Sequence, residues 1–333
     1  MDRLLWLHKH VLCLLVGFVA LCLMCLIPGV IWGSMPRARQ GCMFDYDGPL
    51  TTSDLNCHID MFPFATSVTF SAPHDGKHDI TGIQWNDGTP RVPIFVPFKD
   101  RLGVLLESLR SFHRHIRTPF VVVILNDNTT YPPAVGLLKR LSQGGVQVHH
   151  VQWSRKAEEF DNLFAAWSTF IHQYMAHSSS ETFVLSDPDC ALDSAPGDIL
   201  SVYRAAMSKL NLKIVGAAIR WDDFPRTADL TAYGIGGGEA FDRRDPKYLE
   251  LDGKYYYFID AHVDSTFAMY NKSLPMKRMD RPVIRMLPPL AVRHLDWYLN
   301  SARPPADYHH YIARVKDNRV NHMFHVAAKQ SVP

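Results

Sequence analysis

Thr182-Phe-Val-Leu-Ser-Asp-Pro-Asp189 decides the fold. Thr182 to Leu185 form an apolar run that reads as a buried strand, and two carboxylates follow where that strand ends. The carboxyl end of a strand is where an α/β sheet presents its chemistry. If the chain stays extended, Asp187 and Asp189 share a face, because side chains alternate with period two. Pro188 between them has no N–H to give to a ladder. Two hard oxygen donors then converge, a set suited to Mg²⁺ or Mn²⁺ bridging to a diphosphate, with other oxygens and water completing the octahedron. The same triplet also serves as a plain turn with solvated carboxylates, so its surroundings have to decide.

Upstream, Val92-Pro-Ile-Phe-Val96 reads as a strand and Leu102 to Phe112 as a helix whose leucines share one face. Phe120 to Leu125 is a second buried strand, followed by a turn over Asn126 to Pro133 and a helix over Ala134 to Leu141. Val146 to Val151 is a third strand and Lys156 to Met175 a long helix leading to the quoted stretch. Strands separated by helix-length segments imply βαβ crossovers, hence an α/β class with a mostly parallel sheet flanked by helices. Asp198 to Lys209 continues as helix and Lys213 to Ile219 as strand, beyond which order is less legible. Gly234-Ile-Gly-Gly-Gly238 reads as a mobile loop, since no helix-forming run follows it as a phosphate loop requires.

The chain has 333 residues and a formal net charge of +2, which leaves no bulk electrostatic case for a nucleic-acid partner. No residue from Val11 to Ile27 is charged, and the apolar character runs on to Trp32, long enough to span a bilayer. The run exceeds a signal peptide's apolar region, and Trp32-Gly-Ser-Met-Pro-Arg37 is a poor cleavage site. The expected organisation is therefore a short cytoplasmic tail (1–10), a transmembrane signal anchor (11–32), an irregular stem (33–91) and a body whose halves meet near residue 219 (92–219 and 220–333), the body lying lumenal. Cys42 and Cys57 are able to pair in such a compartment, and Cys190 reads as a small buried hydrophobe. The sequons at Asn128 and Asn271 are compatible with the same location.

Val96-Pro-Phe-Lys-Asp-Arg101, Asn126-Asp127 and Asp187-Pro-Asp189 are three polar clusters at one edge of the expected sheet. Together they resemble the nucleotide-sugar half of a GT-A, Rossmann-like glycosyltransferase of the family-2-like or galactosyltransferase-like kind. The first is similar to that family's Pro-Phe-Arg-Asn-Arg segment, with Lys99 and Asp100 in place of Arg and Asn. The resemblance implies that Pro97, Lys99 and Arg101 line the nucleotide site, that Asp127 contacts the nucleobase, and that Asp187 and Asp189 form the DxD pair holding Mn²⁺ or Mg²⁺. Read without it, Lys99 and Arg101 are a solvated helix start, although two cations there oppose the helix dipole and need an anion nearby. Ile259 to Tyr270 resembles the family's acceptor-side strand, making Asp264 the expected base and Asp260 its reserve; read plainly, either carboxylate caps a turn. Ala291-Val-Arg-His-Leu-Asp-Trp-Tyr298 resembles a C-terminal segment whose His294 would complete the metal site.

What the resemblance implies is a metal-dependent, inverting transfer from a nucleoside-diphosphate sugar, a UDP-sugar first of all, to a hydroxyl of a glycan, glycoprotein or glycolipid. The setting would be a Golgi or other secretory membrane reached through the anchor. Tyr255-Tyr-Tyr-Phe258, Trp221 and Trp297 are candidates for stacking on sugar faces or for plain core packing. Two other classes remain open: a sugar-nucleotide nucleotidyltransferase, which shares the sheet and the acidic metal site, and a catalytically inactive membrane-anchored binding protein.

Overall fold

In the computed structural model the described residues are 67–70, 80–84, 89–143, 146–151, 160–193, 195–220, 245–263, 265–273, 283–299 and 304–314, all within one unit spanning 45–333. The apolar run 11–32, Cys42, Cys57, Trp221, the Gly234–Gly238 loop and Asp264 lie outside them. Among the described residues no helix is long and apolar enough to cross a membrane.

Two short strands, β1 (Ser67–Phe70) and β2 (Ile80–Gln84), pair antiparallel inside the segment expected to be irregular. A nine-stranded sheet follows. It begins with β3 (Val92–Phe98), α1 (Leu102–His115), β4 (Phe120–Asn126), α2 (Pro132–Gln143), β5 (Gln147–His150), α3 (Phe160–Ala176) and β6 (Thr182–Leu185). After β7 (Cys190–Ala191) come α4 (Ile199–Lys209), β8 (Ile214–Ala217), β9 (Lys247–Leu251), β10 (Lys254–Asp260), β11 (Ala268–Asn271) and β12 (Val283–Met286). β13 (Arg293–His294), a 3-10 turn (Leu295–Tyr298) and α5 (Ala306–Ile312) complete the described elements.

The sheet order is β5-β4-β3-β6-β11-β8-β12-β10-β9. β5, β4, β3 and β6 run parallel, while β11 enters antiparallel between β6 and β8 and β10 antiparallel beside β12. The mixed sheet thus has most strands pointing one way, and it crosses the boundary expected near residue 219 without a break. Strands β3, β4 and β6 are buried along their whole length, which is why they read as continuous apolar runs.

Right-handed crossovers explain the layering. The chain steps from β3 to β4 to β5 in one direction, then returns past β3 to β6, so the return helix α3 covers the opposite face from α1 and α2. Phe95 of β3 meets that helix edge-on at Phe170 and Tyr174, with ring centroids 6.5 and 5.2 Å apart, and Phe183 of β6 from the side. The strand order reverses at β3 and β6, and the carboxyl ends of strands at such a switch point open onto a crevice.

Packing is closest at Gly216 of β8, where an added Cβ would lie 2.5 Å from Cγ1 of the buried Val263. Gly216→Ala is therefore expected to destabilise the fold by about 1–3 kcal/mol through overpacking. Urea denaturation measures it, and an unchanged midpoint contradicts this packing.

Candidate functional site

Two residues after β6, the chain turns through Asp187-Pro188-Asp189 at the switch point. Helix α1 holds this turn from below: Ser108 Oγ donates to the Pro188 carbonyl at 2.8 Å, and the Leu192 N–H donates to Ser111 Oγ at 3.0 Å. Beyond the turn β7 pairs antiparallel with β13, setting His294 opposite Cys190, and the Leu295 N–H donates to the Asp189 carbonyl at 2.6 Å. The C-terminal segment is thereby laced to the acidic turn by main-chain bonds.

Asp189 is almost wholly buried, and a carboxylate removed from water needs a cation. Arg101, at the start of α1, provides it. Its Nη1 donates to Asp189 Oδ2 at 3.0 Å and also to Asp296 Oδ2, while its guanidinium lies 5.3 Å over the Tyr311 ring. Burial pushes the Asp296 carboxyl well above the ordinary carboxylate range, and the neighbouring Asp189 adds to the rise. Burial opposes ionisation of Asp189 as well, but His294 and Arg101 outweigh it and hold Asp189 below that range. The two acids thus share one guanidinium unequally, with Asp189 held down and Asp296 pushed up. His294 Nδ1 lies 3.4 Å from Asp189 Oδ2, its ring stacked on Trp297 with centroids 5.1 Å apart.

Asp189 Oδ1 is buried and receives no N–H or hydroxyl donor among the described residues. Beside it, Asp187 is fixed at both ends: its N–H donates to the Ser265 carbonyl at 2.8 Å, and Ser265 Oγ donates to its Oδ1 at 2.5 Å. Arg285 of β12 steadies the same connection, donating from Nε to the His262 carbonyl and from Nη1 to that of Ala217. One ligand atom from each of Asp187, Asp189 and Cys190 falls within 4.8 Å of the others. The hard carboxylate oxygens, one of them an orphaned buried acceptor, fit Mg²⁺ or Mn²⁺; a thiol does not.

The remaining expected residues are placed as follows. Lys99 Nζ pairs with Asp127 at 2.9 Å, and the Asp127 N–H donates to the Phe98 carbonyl, so the ends of β3 and β4 are tied. Burial raises the Asp127 carboxyl while Lys99 pulls it back. The two cations before α1 are thus offset by Asp127 at Lys99 and by Asp189 at Arg101, with Asp296 accepting from the same guanidinium. Pro97 is buried within β3, opposite Leu125. Asp260 ends β10, four strands from β6 in the sheet order, or about 19 Å at the usual strand spacing, exposed and paired with Lys247. Ile259 to Tyr270 is not one strand, since β10 ends at Asp260 and β11 begins at Ala268.

Three acids that the sequence reading passed over shape the site. Asp296 lies two residues after His294 within the segment already singled out. Asp100 adopts φ 56°, a left-handed conformation that Asp tolerates, and its Oδ1 accepts the N–H groups of Thr130 and Tyr131 at 2.6 and 2.7 Å just before α2. Asp307 of α5 accepts the Gly103 N–H at 2.8 Å, supplying the cap that α1 lacks in its own sequence.

No protein-family model matches the chain, and no curated protein does. Solved glycosyltransferases are among the structures it resembles. The mannosyltransferase PcManGT from Pyrobaculum calidifontis in complex with GDP-Man and Mn²⁺ is similar at TM-score 0.29 and 20% identity, over 40% of this chain and 37% of that one. S. aureus TarS (1–349) in complex with UDP is similar at 0.33 and 12%, over 55% and 47%. Glucosyl-3-phosphoglycerate synthase from Mycobacterium tuberculosis, in complex with Mn²⁺, UDP and glucosyl-3-phosphoglycerate, is similar at 0.29 and 13%, over 55% and 57%. The chain thus spans between 37% and 57% of these three proteins. Likenesses of this size say nothing about individual residues, and the chemistry of the site rests on the side chains themselves.

Arg101→Met keeps the length of the side chain and removes its charge, leaving the buried Asp189 without its permanent cation. A loss of about 3–5 kcal/mol is expected, against about 1 kcal/mol for Asp296→Asn, which keeps an acceptor oxygen for Arg101 and leaves the Arg101–Asp189 pair in place. Denaturant midpoints distinguish the two; equal midpoints contradict the assignment of charge.

Proposed function

We propose that this chain is a metal-dependent glycosyltransferase that moves a sugar from a nucleoside-diphosphate sugar, a UDP-sugar in the first instance, to an acceptor hydroxyl with inversion. One observation carries the reading: at the switch point a buried Asp189 keeps one oxygen unpartnered beside an immobilised Asp187. Asp187 and Asp189, with His294 adjacent, would hold Mn²⁺ or Mg²⁺. A divalent ion bound there supplies Lewis acidity toward the diphosphate oxygen that gains negative charge as the anomeric C–O bond breaks.

The chain's own groups do the rest. Ser265 orients Asp187, and Arg101 keeps Asp189 ionised at neutral pH. Lys99 and Asp127 stand at the ends of β3 and β4, where the nucleotide would lie along the carboxyl edge. Asp264 is the proposed base, taking the proton from the acceptor hydroxyl as it attacks. Its neighbour in the chain, Ser265, bonds directly to the metal-site carboxylate, which supports that role. The run 11–32 serves as the membrane anchor in this reading, with the body on the lumenal side.

The nucleotidyltransferase alternative loses ground at β3. Such an enzyme needs a glycine-rich phosphate loop there, whereas Lys99-Asp100-Arg101 passes straight into α1.

The test is donor hydrolysis by the full chain in detergent across a panel of UDP- and GDP-sugars, with Mn²⁺ and with EDTA. Hydrolysis of at least one donor that depends on Mn²⁺ is expected; a chain inert toward all of them is the inactive binding protein. Once a donor and an acceptor are found, Asp264→Asn should slow transfer by about 10²–10⁴-fold with little change in donor affinity. Transfer at the parent rate removes Asp264 from the mechanism.

A further inference from the structure

The β9–β10 hairpin carries a feature that the metal site does not use. Its two-residue turn, Asp252-Gly253, has φ of 50° and 74°, the doubly positive geometry whose twist matches the strands it joins. The register pairs Tyr257 with Tyr248 and Tyr255 with Glu250 on one face, and Tyr256 with Leu249 on the other. Leu249, Tyr256 and Phe258 are buried. Tyr248, Tyr255 and Tyr257 are 66%, 58% and 51% exposed, and Val135 is the one other large apolar side chain so exposed among the described residues. Among the described residues, the exposed aromatics are therefore gathered on one face of one hairpin.

That face is rigid and shaped. Lys209 of α4 donates from Nζ to the Glu250 carbonyl at 2.7 Å and braces β9. The rings of Tyr248 and Tyr255 stand 5.6 Å apart at 70°, forming a floor and a wall. A sugar ring placed on one would present its axial C–H groups to the π face and its edge to the other, with phenol hydroxyls and the Glu250 carboxylate near its hydroxyl groups. The rings alternate with phenol hydroxyls and a carboxylate rather than with aliphatic groups, the mix that a polyhydroxylated ligand uses.

Position ties the face to the reaction. Phe258 is in register with Met286 at the carboxyl end of β12, and the Leu287 N–H donates to the Tyr257 carbonyl. The hairpin therefore rises beyond the same carboxyl edge that carries Asp187 and Asp189. β10 lies four strands from β6, about 19 Å away, a span of a few linked sugar units.

We propose that Tyr248, Tyr255 and Tyr257 form a platform for the distal sugars of an extended oligosaccharide acceptor, so that the enzyme prefers chains several units long over single sugars. The inference rests on the glycosyltransferase reading for the word acceptor, but the platform itself is measurable without catalysis. The full chain and a Tyr248→Ser/Tyr255→Ser/Tyr257→Ser variant are titrated with chitohexaose, cellohexaose, mannohexaose and maltohexaose, and with the matching monosaccharides, following tyrosine fluorescence. At least one hexaose is expected to bind the parent, with the variant about tenfold weaker or worse and monosaccharides indifferent to the change. Triple Tyr→Phe substitution should restore most of the binding, since the ring faces remain. Donor hydrolysis in the same preparations should be equal for all three proteins. Failure of hydrolysis in every protein, with hexaose binding intact, counts against the transferase reading alone. Absence of hexaose binding by the parent, or equal binding by the serine variant, overturns the platform. So does concentration-dependent self-association that the serine variant abolishes, which would make the face a contact between copies of the chain.

Discussion

Burial of the Asp189 carboxylate is the constraint from which the organisation of the site follows. A lone carboxylate that deep costs several kcal/mol after relaxation, and the fold answers with a cation 88 positions away in the chain and a second acid 195 positions from that cation. Satisfying Arg101 draws Asp296 and Tyr311 onto the carboxyl edge of the sheet. The pairing of β7 with β13 and the Asp307 cap on α1 then secure the C-terminal segment there. One guanidinium links the first helix of the sheet, the acidic turn and the last described helix.

The same arrangement divides the two oxygens of Asp189. Oδ2 faces Arg101 and His294, and Oδ1 receives no N–H or hydroxyl donor among the described residues. A buried acceptor left unsatisfied is disfavoured unless something else fills its coordination. Its setting, beside an Asp187 locked by Ser265, is the physical ground for placing a divalent ion there, and it depends on no likeness to another protein. Topology supplies the location, because the return crossover through α3 makes β3 and β6 the reversal point of the strand order.

Strands β3 to β6 and helices α1 to α4 are legible in the sequence because each strand there is buried on both faces or bounded by clear helical periodicity. The remaining strands are harder for identifiable reasons. β7 and β13 are two residues each and owe their existence to the acidic turn rather than to any local pattern. β11 inserts antiparallel between β6 and β8, which no neighbouring segment signals. The β9–β10 hairpin turns at Asp252-Gly253 between Tyr-Leu-Glu-Leu and Lys-Tyr-Tyr-Tyr-Phe, a short-range hairpin signal that is lost when the tyrosines are read only as an aromatic run. Asp260 illustrates the limit of motif reading: its type and spacing suit a base, but the register sets it four strands from the metal-site turn. Asp296 shows the converse, a residue two places from His294 whose role emerges once Arg101 is seen to need two acids.

The account's central claim is that the free oxygen of Asp189 and the fixed carboxylate of Asp187 bind a divalent ion that in turn binds a nucleoside diphosphate. Calorimetric titration of UDP into the full chain, once with Mn²⁺ and once with EDTA, tests it most directly. The account predicts saturable binding with Mn²⁺, none with EDTA, and loss of the Mn²⁺-dependent signal in Asp187→Asn, whose half-buried position spares the fold. UDP binding of equal strength with and without Mn²⁺, or undiminished in Asp187→Asn, would contradict it.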